Sequence, residues 1–312
     1  MISLIYFDTN FFYNLIEEKI EDDEQIELAK FITENKIKFY YTPITFTEIT
    51  SHINGEEKGK FEYYRNTLIM IKNLCGSSIL ENPDYILATI LKVPPPKRKN
   101  NESPSELNKV RDLICKAKDY EELIEGQHLY WDGRLSIVKY QEDVVKNFRA
   151  DYEAGWITDM YKFIVNAVNP RYFKRLKGGK TPRVTDMNLR QQLLDFLDSI
   201  EFKRAFVDAS FCKAMNLPQK TLIGQLSEQN VNEIINSLSA YFTAYKTIIR
   251  KIVEEGYNVE KNKNDFNDLH FLIYLGLGNH VQFISYDNRL KEKTKGSNQE
   301  KRILKIPDLI RE

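Results

Sequence analysis

Short apolar runs with strand character sit near the two ends of this chain, and that placement restricts its fold more than any other feature. Residues 4–7 and 38–42 carry such runs near the start, and 281–285 and 302–306 carry them near the finish, with one brief signal at 77–80. The stretches around them repeat with helical period: 11–34 in two pieces broken near the acidic residues 21–24, then 44–53, 61–74, 83–91 and 265–277. Thr42-Pro43 predicts a helix start, with a hydroxyl for the cap and proline at the first helical position, and Asn54-Gly55 predicts its end. Strands that alternate with helices indicate a parallel sheet covered on both faces. Here the strands come from opposite ends of the chain, so the sheet closes only when those ends meet.

Pro94-Pro95-Pro96, followed by Lys97-Arg98-Lys99-Asn100-Asn101, continues no regular element and marks a boundary. From there to about residue 255 the pattern is helical, over 106–124, 138–168, 189–215 and 228–255. The expected organisation is a first part of an α/β domain at 1–92, an all-helical insertion at 93–255, and the second part of the domain at 256–312. The 42% of hydrophobic residues supports a folded core. Cys75, Cys115 and Cys212 are widely spaced, with no Cys-x-x-Cys pair and no histidine at ligand spacing, which argues against disulfides and structural zinc. The apolar start is too brief for a signal peptide and no stretch is long enough to span a bilayer, so a cytoplasmic protein without membrane contact is expected.

The acids carry the functional signal. Asp8 and Asp287 each follow an apolar strand, where open parallel sheets place their sites. Asp265 and Asp268 are expected to share one face of a helix's first turn, near the positive end of its dipole. Glu48 lies on the helix that leaves the second strand. Converging carboxylates repel one another unless a cation neutralises them, and hard oxygen ligands suit Mg²⁺ or Mn²⁺. Each acid also has a plain reading, since aspartates after strands often serve as turn formers or helix caps.

The ordered set of segments resembles the PIN domain family of metal-dependent nucleases. The matching pieces are Leu4-Ile5-Tyr6-Phe7-Asp8-Thr9-Asn10, Thr42-Pro43-Ile44-Thr45-Phe46-Thr47-Glu48-Ile49, Asn267-Asp268-Leu269-His270-Phe271-Leu272-Ile273 and Phe283-Ile284-Ser285-Tyr286-Asp287. The resemblance covers about residues 1–92 and 256–312 and leaves the helical block unmatched. It implies a PIN-like parallel sheet flanked by helices and interrupted by the insertion. It further implies that Asp8, Glu48, Asp268 and Asp287 hold Mg²⁺ or Mn²⁺, with Asn10 and Ser285 in support; Asp265, by its spacing from Asp268, is the candidate fifth ligand. The implied activity is phosphodiester hydrolysis, with single-stranded RNA the favoured substrate over DNA and endonucleolytic cutting expected. An inhibitory or activating protein partner is a further implication.

Charge shapes the nucleic-acid expectation. Lys+Arg and Asp+Glu both number 45, so contact with phosphates must come from a local patch. Residues 171–183 supply one, with Arg171, Lys174, Arg175, Lys177, Lys180 and Arg183, two aromatics and no acid. Residues 97–99 and 289–295 are weaker patches. Two other functions compete. In one, a catalytically silent PIN-like protein binds nucleic acid or acts as a scaffold through its helical block. The other is a haloacid-dehalogenase-like phosphatase, which needs Asp-x-Asp after the first strand and meets Asn10 instead.

Overall fold

The computed structural model describes residues 4–35, 37–53, 60–97, 103–126, 180–181, 184–215, 226–258 and 264–311. Four parallel strands form one sheet in the order β2-β1-β5-β6: β1 is Leu4–Phe7, β2 Lys38–Tyr40, β5 Val281–Ile284 and β6 Ile303–Leu304. Strands from the two ends of the chain therefore lie side by side, as the sequence required. The helices that follow β1 are α1 (Thr9–Ile16) and α2 (Asp22–Asn35), separated near the acidic stretch. After β2 come α3 (Pro43–Thr50), α4 (Lys60–Cys75) and α5 (Pro83–Leu91). Thr42 caps α3 by accepting from the Thr45 amide, and Pro43 takes the first helical position. The strand expected at 77–80 contributes a single parallel bridge, Tyr41 to Ile79, which widens the sheet beyond β2.

Between residues 93 and 255 the described chain forms α6 (Pro104–Lys116), α7 (Tyr120–Gly126), α8 (Met187–Asp198), α9 (Ile200–Ala214), α10 (Glu228–Ser237) and α11 (Ser239–Glu255). Three helices expected to be continuous are each broken in two. Ser199 explains one break, because its hydroxyl accepts from the Phe202 amide and starts α9 afresh. Asp119 similarly accepts from the Glu122 amide where α7 begins. The helix expected at 138–168 lies outside the described residues. Two short strands, β3 (Lys180–Thr181) and β4 (Tyr257–Asn258), pair antiparallel where the block begins to rejoin the C-terminal part. The chain then runs through α12 (Asn264–Ile273), a 3-10 turn (Tyr274–Leu277), β5, α13 (Asn288–Lys293), β6 and α14 (Ile306–Arg311).

Side chains alternate across the sheet with period two, and each face seeds a core. Tyr6, Phe283 and Ile303 point to one face and pack with α5, α12 and the block helices α8 to α11, through residues such as Leu193, Phe206, Tyr245 and Ile249. Ile5, Phe7, Phe39, Ile284 and Leu304 point to the other face, where α1, α4 and α14 meet the block helix α6 through Leu107, Val110 and Ile114. Helices of the block thus build both faces of the sheet and share its cores.

Gly276 makes this packing visible. A Cβ there would come within 2.6 Å of Ile90 Cδ1 on α5 and 3.0 Å of the Ser237 carbonyl oxygen at the end of α10. The glycine serves close approach between the turn and these two helices rather than a left-handed cap. Gly276→Ala is expected to lower stability by about 1–3 kcal/mol through overpacking, read as a lower denaturant midpoint at unchanged slope.

Candidate functional site at the ends of strands β1 and β5

Strands β1 and β5 are neighbours, but their onward connections part. The chain leaves β1 toward β2 through α1, which packs on one face, and leaves β5 toward β6 through α13, whose Leu290 packs on the other. In open α/β sheets such a divergence is where a crevice usually forms at the carboxyl ends of the strands, the ordinary ligand position. Asp8 and Asp287 stand at that position, one after each strand.

Both aspartates cap helices. Asp8 Oδ1 accepts from the Phe11 amide at 2.7 Å, and Asp287 Oδ1 accepts from the Arg289 and Leu290 amides at 2.8 and 3.3 Å. Ser285 joins them: its hydroxyl donates to Asp8 Oδ2 at 2.5 Å and accepts from the Asp287 amide at 3.1 Å. The strand ends are clamped from both sides, because the Asp8 amide donates to the Ile284 carbonyl and the Ser285 amide donates to that of Leu304. Glu48 reaches the same end of the sheet from α3 and accepts from the Thr9 hydroxyl at 2.6 Å.

Electrostatics at this point are unfavourable for anions. Burial raises the Asp8 pKa to about 7, against the pull of its bonds from Ser285 and Phe11, and the charges of Glu48 and Asp287 push it further up. Glu48 is partly exposed at its surface, yet loss of solvation at the carboxylate raises its pKa too, opposed by Thr9. Glu48 and Asp287 thus both burden Asp8, which leaves negative charge for a cation to relieve.

The remaining sequence-derived positions divide. Asp268 is half-buried on α12, which packs beside α3 and is tied to β1 by a 2.6 Å bond from the Tyr6 hydroxyl to the Phe271 carbonyl. Because α12 begins at Asn264, Asp268 falls in the second turn, and only Asp265 holds the first-turn place that both were expected to share. The Asp265 side chain lies outside the described residues. Asn10 is exposed at the second position of α1. Among the basic residues, Arg171, Lys174, Arg175, Lys177 and Arg183 lie outside the described residues, and Lys180 is placed by its backbone in β3. Thr9, which sequence reasoning passed over, holds Glu48; its only signal was adjacency to Asp8.

His270 is buried, and desolvation drives its pKa down to about 4, so the ring is neutral and serves the packing of α12, where it contacts Lys213 of α9. His52 follows α3 and stacks on Tyr64 with ring centroids 5.2 Å apart.

The donor chemistry of Asp8, Glu48 and Asp287 fits a hard divalent cation. Among the described residues, however, no three Asp, Glu, His or Cys side chains are gathered as a ready-made metal cage. Ser285→Ala removes the hydroxyl that favours ionised Asp8. It is expected to cost about 1–3 kcal/mol and to move titration of the Asp8 carboxyl, followed by NMR, to higher pH than in the native protein. Also among the described residues, no helix is long and apolar enough to cross a membrane. Comparison with known proteins finds no matching family model, no matching curated protein and no matching solved structure.

Proposed function

We propose that this protein is a PIN-like, metal-dependent nuclease that hydrolyses phosphodiester bonds, with single-stranded RNA as its preferred substrate and endonucleolytic cutting. The observation that supports this reading most is the bonded set of side chains at the ends of β1 and β5. There Ser285 links the cap residues of two helices that diverge to opposite faces of the sheet, and Thr9 brings Glu48 beside them. Asp8, Glu48 and Asp287 would hold Mg²⁺ or Mn²⁺, with Asp268 and Asp265 supplied from α12. What such an ion supplies when bound is neutralisation of charge at the scissile phosphate and acidification of water.

The chain's own part is positioning. Ser285 fixes one Asp8 oxygen while the Phe11 amide fixes the other, so the carboxylate is held in one orientation. Thr9 does the same for Glu48 through its Oε2 atom. Burial keeps water from screening these groups, which strengthens their attraction for a cation and their repulsion without one. No side chain is assigned as a general base.

A second reading keeps the fold and drops the chemistry: a silent nucleic-acid-binding or scaffolding protein. The capping bonds of Asp8 and Asp287 favour it, because both acids have structural work without any metal. Incubation of the full chain with labelled single-stranded RNA and DNA, in Mg²⁺, in Mn²⁺ and in EDTA, separates the two readings. Cleavage that requires metal and is lost in Asp268→Asn supports the nuclease; binding without cleavage under every condition supports the silent protein.

A further inference from the structure

Helices α1 and α3 meet where Thr9 holds Glu48, and one turn farther along α1, and just past the end of α3, the chain presents rings. Tyr13 shares a face of α1 with Thr9, four residues on, and His52 follows Glu48 by the same interval. Tyr63 and Tyr64 of α4 complete the group. His52 lies flat against Tyr64, with centroids 5.2 Å apart and 15° between planes. Tyr13 lies against Tyr63 at 5.8 Å and 29°, and Tyr63 meets Tyr64 edge to face at 5.1 Å and 85°. The three tyrosines are half-buried and His52 is exposed, so this aromatic surface is not sealed into the core.

The rings are also polar at their tips, which distinguishes the patch from an aliphatic docking face. The Tyr13 hydroxyl is buried and has no hydrogen-bond partner among the described residues. Burial, and then the neighbouring Glu48 charge, hold its pKa far above the ordinary phenol value, so it stays protonated as a donor. A planar ligand that offers a π-face to the exposed His52 ring and the half-buried tyrosines beside it suits such a surface. Unpaired nucleobases have that chemistry, and stacking on aromatic side chains tolerates any base.

We infer that Tyr64 and His52, with Tyr13 and Tyr63 behind them, form a stacking platform that seats an unpaired base one step away from the Glu48 carboxylate, selecting single strands over duplexes. This inference rests on the nuclease reading and adds the element that recognises the substrate. A base paired within a duplex cannot present its face to the platform.

Binding of a fluorescent single-stranded RNA is measured by anisotropy in EDTA, where metal-dependent cleavage is off, beside the same sequence as a duplex and a strand of equal length without bases. Native protein is expected to prefer the base-bearing single strand. Tyr64→Leu and His52→Leu each weaken that complex about tenfold, while Tyr64→Phe, which keeps the ring, changes it by no more than about twofold. In Tyr64→Leu the preference over the baseless strand shrinks accordingly. Retained metal-dependent cleavage with native affinity in both leucine variants overturns the platform and leaves the nuclease reading standing. Absence of both binding and cleavage in the native chain overturns the nuclease reading and the platform with it.

Discussion

Asp8→Asn is expected to abolish cleavage, by about a thousandfold or more, while making the folded protein more stable at pH 8. The loss follows if Asp8 supplies one of the charges that hold the metal, since such an ion is worth several kcal/mol to the transition state. The gain follows from the carboxyl's pKa of about 7 in the fold against 3.8 as its ordinary value. A carboxyl raised on folding binds its proton more tightly in the native state. Its contribution to stability is therefore fully present at pH below 3.8 and is lost as pH rises through about 7. Asparagine keeps the capping bond to Phe11 and never ionises. The stability difference between variant and native protein should thus be near zero at pH 4, grow between pH 4 and 7, and level off above, at up to about 4 kcal/mol. Denaturant unfolding across that range checks it in metal-free buffer. Added Mn²⁺ should narrow the gap, because binding to the native form alone stabilises it.

Excision of residues 93–255, with Lys92 joined to Gly256 by a flexible linker, is expected to destroy the fold. An insertion that merely decorates an α/β domain is removable. Here the block helices build both cores, through Phe206, Tyr245 and Ile249 on one face of the sheet and Leu107, Val110 and Ile114 on the other. Losing one buried side chain of this size costs about 2–5 kcal/mol, and many would be lost together against a total stability of about 5–15 kcal/mol. The shortened chain should show no cooperative unfolding transition and should bind a hydrophobic dye. A sharp transition with native-like near-ultraviolet dichroism would mean that the sheet has an independent core.

How much of this was legible in the sequence differs from residue to residue. The parallel sheet was readable because Leu4–Phe7 and Val281–Ile284 are short, β-prone and buried on both faces, and because Thr42-Pro43 announces a helix start. The strand-end positions of Asp8 and Asp287 followed directly. Their pairing through Ser285 did not, since it depends on β1 and β5 becoming neighbours in register, Phe7 opposite Ile284. The breaks at Ser199 and Leu238 were missed because the apolar period continues through them, and only a serine cap hints at the first. The packing of the block was hidden for a similar reason: helical periodicity marks the buried face of a helix but not the partner it is buried against. The platform of Tyr13, His52, Tyr63 and Tyr64 draws on two helices and the turn after a third, and has no local motif.

Manganese binding tests the central claim most directly, because it asks whether the acids at the ends of β1 and β5 hold a divalent cation apart from any choice of substrate. Electron paramagnetic resonance of Mn²⁺ titrated into the native chain at pH 8 should show saturable binding of one or two ions. Affinity should fall by at least about tenfold in each of Glu48→Gln and Asp287→Asn. Binding that is absent, or equally tight in the native protein and both variants, would contradict the account.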